Sequence, residues 1–153
     1  MYYLLILAVL VSDQLTKAYI HANMAAGQSI SVIDGIFSIT YVQNTGAAFS
    51  IFEGKQLLLT AIPVIFIIGI AIFMHTKGRN GHWTLKTAMA LIAAGGAGNL
   101  IDRLSLGYVV DFFDFHIWPV FNIADIAVCV GCALAVIYVI RFDRSGEGKD
   151  NEA

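Results

Sequence analysis

Four stretches of this sequence are apolar for long enough to cross a lipid bilayer as helices, and that limits the fold more than any other feature. A spanning helix needs about 20 predominantly apolar residues, each adding about 1.5 Å of rise across a hydrocarbon core of about 30 Å. The stretches cover residues 2–20, 57–74, 83–101 and 121–140, with Pro63 near the start of the second and Lys86 near one end of the third. Of the 153 residues, 58% are hydrophobic and 13% charged, where soluble domains average about 45–50% and about 25%. One soluble core of this size needs no such excess, so lipid is the expected solvent for much of it. The expected fold is an all-α membrane protein with four transmembrane helices. Residues 1–142 form one membrane domain with outer loops at 21–55 and 102–120, and the polar residues 143–153 form a disordered cytoplasmic tail.

The first stretch is expected to be a retained helix rather than a cleaved signal peptide. No Lys or Arg precedes it, Asp13 and Lys17 interrupt it, and no small-x-small cleavage site follows. Orientation follows from the positive charges. Lys77, Arg79 and Lys86 cluster around the connection between the second and third stretches, and Arg141, Arg144 and Lys149 follow the fourth. The two longer loops hold only Lys55 and Arg103 as cations, against Asp34, Glu53, Asp102, Asp111 and Asp114. Both termini are therefore expected on the cytoplasmic side, with the longer loops outside. Within the first outer loop, Ser29–Ile33 and 37–42 alternate polar and apolar residues about Asp34-Gly35, which reads as a hairpin in a small extracytoplasmic β-sheet. Phe112, Phe113 and Phe115 around Asp114 suggest a short amphipathic segment resting on the bilayer.

Ionisable side chains inside a span cost several kcal/mol, so each demands a reason. Asp13 and Lys17 are four apart on one helix face and can pair. Asn99, Asp102 and Arg103 share a face at the outer end of the third stretch. Asn122 and Asp125 share one at the outer end of the fourth, where Asp125 lies only about 5–6 Å below the helix start. Asp111 lies outside any regular span, and the Trp118-Pro119 break lets the chain fold Asp111 back towards Asp125. Two close carboxylates cannot both ionise and so share a proton. One can then activate a water while the other hydrogen-bonds a substrate carbonyl, which hydrolyses a peptide without metal or cofactor. Spacing alone leaves a proton- or cation-coupled transporter, or a non-catalytic adaptor, as alternatives.

Other chemistries fit less well. The formal charge of −2 and the absence of a basic run argue against nucleic acid as a partner. His75 and His82 fall on the expected cytoplasmic side, away from the acids, and no zinc-ligand spacing occurs. Gly95-Gly96-Ala97-Gly98 lacks the Lys-Ser/Thr of a phosphate loop and reads as close helix packing. Cys129 and Cys132 sit in an apolar stretch with no second pair and read as small packing residues.

Five ordered motifs carry a resemblance. They are Asp13-Gln14-Leu15-Thr16-Lys17, Asn44-Thr45-Gly46-Ala47-Ala48-Phe49-Ser50, Gly95 through Arg103, Val109-Val110-Asp111-Phe112, and Phe121-Asn122-Ile123-Ala124-Asp125. In order and spacing they resemble the bacterial lipoprotein signal peptidases (signal peptidase II), membrane aspartyl proteases, over the whole chain up to the tail. The resemblance implies removal of signal peptides from diacylglyceryl-modified prolipoproteins by cleavage before the lipobox Cys, at the outer face of the bacterial cytoplasmic (inner) membrane. It implies Asp111 and Asp125 as the catalytic pair. Asn44, Asn99, Asp102, Arg103, Asn122, Asp13 and Lys17 are implied as supporting or substrate-binding positions, with no cofactor. A lipid-anchored substrate delivers its scissile bond to the depth of these acids, and the outer sheet with residues 112–115 is expected to clamp it from above.

Overall fold

The computed structural model describes residues 2–46, 56–76, 78 and 81–143. The described residues form four α-helices, α1 (Tyr2–Asn23), α2 (Gln56–His75), α3 (Trp83–Ser105) and α4 (Ile123–Tyr138), and three strands, β1 (Ser29–Ile33), β2 (Phe37–Asn44) and β3 (Val109–Asp114), in the order α1-β1-β2-α2-α3-β3-α4. A π-helical turn, Val139–Asp143, continues α4. The helices overlap the four apolar stretches of the sequence and mostly extend beyond them. Positions 47–50 of the second motif, and residues 144–153 of the expected tail, lie outside the described residues.

Among the described residues, three helical segments are long and apolar enough to cross a membrane: Tyr2–Asn23, Leu57–His75 and Ile123–Arg141. The fourth expected span, α3, has the length, 23 residues, but not the composition. Its surroundings give the reason. α3 packs against α1, α2 and α4, so less of its surface needs to be apolar enough for lipid. Its glycines permit that packing. A Cβ at Gly95 would collide with the Ala124 carbonyl oxygen and Val128, and one at Gly98 would lie 2.6 Å from Asp13 Oδ2. The Gly95–Gly98 run therefore brings α4 and a buried carboxylate against the backbone of α3. By contrast, Ile65, Phe66 and Ile68 of α2 face outward, as lipid-contacting side chains would.

The strands form one antiparallel sheet in the order β1-β2-β3. The hairpin expected at Asp34-Gly35 joins β1 to β2, with Gly35 at φ 72°, a left-handed conformation that glycine adopts without a steric cost. The sheet docks on the end of α1 through a small core of Ile20, Tyr41, Val110 and Phe112. Here one expectation is corrected. Residues 112–114 are the end of a strand rather than a separate amphipathic segment. Phe112 and Phe113 belong to β3, Phe112 is buried, and the Phe113 backbone bridges to Phe121 as well as pairing with β2. Ladder pairing satisfies backbone groups that a lone surface segment would leave to water. The exposed apolar residues follow the strand instead, at Phe115, Ile117 and Trp118.

Candidate active site

α4 begins where its sequence provides a cap. Asn122 accepts from the Asp125 backbone N–H at 3.0 Å, and the Asp125 carboxylate accepts from the Asn122 N–H at 3.2 Å. This reciprocal box satisfies amides that a helix start otherwise leaves unpaired. A third is taken from across the molecule: Ala124 N–H donates to Asp13 Oδ1 at 2.9 Å. The first helix therefore holds the start of the last, and the positive end of the α4 dipole faces both carboxylates.

Asp111 arrives on β3, opposite Val42 of β2. Asn44, two residues further along β2, donates to Asp111 Oδ2 at 2.8 Å, and Asn122 donates to Oδ1 at 2.6 Å. Asp125 Oδ1 accepts from Asn99 at 2.7 Å. Asn122 thus touches both acids, one through its side chain and the other through its backbone. It also donates to Asn99 Oδ1 at 3.1 Å, which closes a ring of amides around the two carboxylates. The Asn99 amide can sit only one way round. Lys17 Nζ, a pure donor, lies 2.8 Å from its other atom, which must be the oxygen, so the NH₂ faces Asp125. Burial pushes the Asp111 pKa up to about 7; the Asn44 hydrogen bond opposes this and the nearby Asp125 charge adds to it.

The other two acids are held differently. Lys17 Nζ lies 2.9 Å from Asp13 Oδ2 and 3.1 Å from Asp102 Oδ2, with all three side chains buried. Asp102 also accepts from Val110 N–H at 3.0 Å and from Gln14 at 3.0 Å. Gln14 bonds Asp13 and the Gly98 carbonyl as well. The ion-pair partner of Asp102 among the described residues is Lys17, not the adjacent Arg103. Arg103 instead reaches the Gly46 carbonyl at 3.5 Å and lies within electrostatic range of Asp102, Asp111 and Asp125. All nine site residues expected from the sequence therefore meet in one connected region.

The chain as a whole has matches among known proteins. The family model for signal peptidase (SPase) II covers residues 5–141. The chain belongs to this family. It is 42% identical to the lipoprotein signal peptidase of Halothermothrix orenii over 96% of this chain and 100% of that protein. It is 44% identical to the lipoprotein signal peptidase of Geobacter sulfurreducens over 91% of each. Among solved structures it superposes on a bacterial membrane enzyme determined by the in meso method at 2.3 Å resolution, with TM-score 0.87 and 34% identity, covering 99% of this chain and 93% of the other. A signal peptidase II is an aspartic endopeptidase, and transport is left without support.

Two features of this signal peptidase escaped the sequence. Gln14 was visible only as a letter in a motif, and nothing in its spacing marks a side chain that joins α1 to α3. Ser38, His116 and Asp114 also fall in line: Ser38 Oγ lies 3.1 Å from His116 Nε2, and His116 Nδ1 lies 3.5 Å from Asp114 Oδ1. Ser38 is only 4% exposed, so this chain holds the corner after β3, where His116 takes a left-handed φ of 61°, rather than presenting a nucleophile.

Proposed function

We propose that this chain removes signal peptides from diacylglyceryl-modified prolipoproteins, cleaving before the lipobox Cys with Asp111 and Asp125 as the proton-sharing pair. The observation that carries the reading is the environment of the pair. Among the described residues, the direct partners of both carboxylates are neutral amides, those of Asn44, Asn99 and Asn122. No direct cationic partner fixes both as anions, so one proton can be shared between them.

The ionised member takes a proton from a water whose oxygen attacks the scissile carbonyl carbon. The protonated member donates a hydrogen bond, then its proton, to the carbonyl oxygen. The resulting gem-diol collapses as the C–N bond breaks. The proton taken from water passes to the leaving amine of the Cys, and the diol returns a proton to the pair. Because Asp111 has a pKa pushed up to about 7, a proton stays available on it near neutral pH. Arg103 lies close enough to favour negative charge on the developing oxyanion.

Topology completes the reading. α3 is the fourth span, because its length matches the bilayer and the helices packed around it shield its less apolar faces. Residues 1–142 form the membrane domain in the bacterial inner membrane, with both termini cytoplasmic and the acids at the outer face. Membrane lipid and the lipid-anchored prolipoprotein are its partners. The sheet covers the acids from the aqueous side and clamps the substrate there; deleting β1 and β2 without loss of cleavage would sink that part.

The deciding experiment presents purified full-length protein with a diacylglyceryl-modified prolipoprotein. Asp111→Asn and Asp125→Asn are each expected to cut the cleavage rate by about 10²–10⁴-fold, the span of general acid–base catalysis. Asp102→Asn serves as the rival. A folded Asp102→Asn protein that is inactive, beside an active Asp111→Asn protein, would give the pair to Asp102 and Asp125.

A further inference from the structure

A second concavity lies on the other side of α3. Both α1 and α2 pack on α3 but make little contact with each other. Between them is a cavity of about 750 Å³, with Ala90, Ala93 and Ala97 of α3 on its floor and Ile6 of α1 and Ile67 of α2 among its walls. The three alanines fall on one helix face, and their small side chains create the depth. Ala97 and Asn99 are two residues apart and so turned by about 200° about the α3 axis. The cavity is therefore not an extension of the carboxylate site.

One end of the cavity is polar. Tyr2, Tyr3, His75 and Lys86 line it where α1 starts, α2 ends and α3 begins. From Lys86 to Ala97 the cavity runs about 16 Å along α3, close to half of the roughly 30 Å hydrocarbon core, or the depth of one leaflet. Lys86 brings a positive charge to the polar end, and no Asp or Glu is among the described residues that line the cavity.

We propose that this cavity binds an anionic phospholipid, with an acyl chain along the alanine floor and the phosphate at Lys86. An apolar slot one leaflet deep with a basic mouth matches a lipid in both shape and charge. Basic pockets between helices on the cytoplasmic side select anionic headgroups in this way. Tyr2 and Tyr3 sit at the depth where aromatic rings settle against headgroups. A signal peptide is the poorer occupant. Its own n-region is positive, and it would bring that charge to the mouth already held by Lys86. The assignment to the cytoplasmic leaflet rests on the orientation proposed above, whereas binding itself does not.

The test uses native mass spectrometry of the purified full-length protein, titrated with dioleoylphosphatidylglycerol and, separately, dioleoylphosphatidylcholine. The wild type is expected to bind the anionic lipid more tightly. Lys86→Gln should weaken that binding roughly fivefold, the effect of one Lys at a headgroup, and leave the zwitterionic lipid unchanged. Lys86→Arg should keep the preference. Ala93→Phe, which fills the floor, should weaken both lipids. Prolipoprotein cleavage in detergent, retained in Lys86→Gln, reports that the protein is folded and separates this result from any failure of the catalytic reading. Equal binding of the two lipids by the wild type would overturn the proposal, as would an unchanged preference in Lys86→Gln. Loss of prolipoprotein binding in Ala93→Phe with lipid binding intact would also overturn it, because the cavity would then be holding the signal peptide.

Discussion

Two pairs of aspartates sit side by side at one end of this helix bundle, and they are solvated in opposite ways. Asp13 and Asp102 close on one ammonium, Lys17 Nζ, and are further bonded by Gln14 and by backbone amides of Ala124 and Val110. Asp111 and Asp125 meet the side chains of three asparagines. A carboxylate against a buried cation has a strong reason to stay ionised, while one met by neutral amides has little to offset the cost of leaving water. The first pair is therefore suited to holding helices together and the second to exchanging protons. The two are joined at Asn99, which accepts from Lys17 and donates to Asp125. The structural pair thus orients the amide that positions the chemical one.

Removing the cation should break this division most severely. Lys17→Met leaves Asp13 and Asp102 buried without their counter-charge and frees the Asn99 amide to turn. A loss of about 3–5 kcal/mol is expected, as for other buried pairs broken from one side. Thermal unfolding in detergent would register it. Adding Asp13→Asn and Asp102→Asn to Lys17→Met should recover part of the loss by removing the stranded charges. A Lys17→Met protein as stable as wild type would mean that the two pairs are not solvated differently after all.

The second prediction concerns the sign of a pH effect. The Asp111 pKa is raised, from an ordinary value near 3.8 to about 7. A raised carboxyl pKa stabilises the fold fully below the unfolded value, and that contribution is lost as pH rises through the folded one. Between pH 4 and 7 the wild type should therefore lose stability that Asp111→Asn does not lose. The difference by pH 8 is roughly 2–4 kcal/mol, taking each pKa unit as about 1.4 kcal/mol and discounting for partial solvation. Thermal midpoints of the two proteins across pH 4–8 would show the curves diverging. Parallel curves would mean that the fold does not hold a proton on Asp111. Cleavage should fall over the same upper range as the shared proton is lost.

Much of this contrast was legible in the sequence, but not its wiring. Helical spacing put Asp13 with Lys17, and Asn122 with Asp125, because residues three or four apart must share a helix face. The alternation around Asp34-Gly35 exposed the hairpin. What spacing cannot reveal is contact between distant parts of the chain. Nothing local announces that Asp13 caps α4, that Gln14 spans to α3, or that Lys17 rather than Arg103 pairs with Asp102. The run of phenylalanines misled for a related reason. An apolar surface segment and a buried edge of a small sheet read alike until β2 and Phe121 supply the pairing partners. α3 shows the converse, a helix whose modest hydropathy follows from being surrounded by others.

The smallest expected effect lies just beyond the pair, on the same strand. Asp114 is three residues from Asp111, yet it sits at the rim of the sheet. Its pKa is lowered, first by the His116 backbone N–H, which donates to it at 2.9 Å, and then by the Thr40 hydroxyl at 2.8 Å. A lowered carboxyl pKa adds stability above the unfolded value and loses it as pH falls through the folded one, so the contribution should begin to fade below about pH 4 and be gone in strong acid. Near water these bonds are worth less than about 1 kcal/mol. Asp114→Asn should therefore shift the thermal midpoint slightly at pH 7, not at all in strong acid, and leave cleavage unchanged. One strand would then carry an acid whose pKa is raised by burial and another whose pKa is lowered by hydrogen bonds. Loss of cleavage in a folded Asp114→Asn protein would extend the chemistry to the rim and erase that distinction.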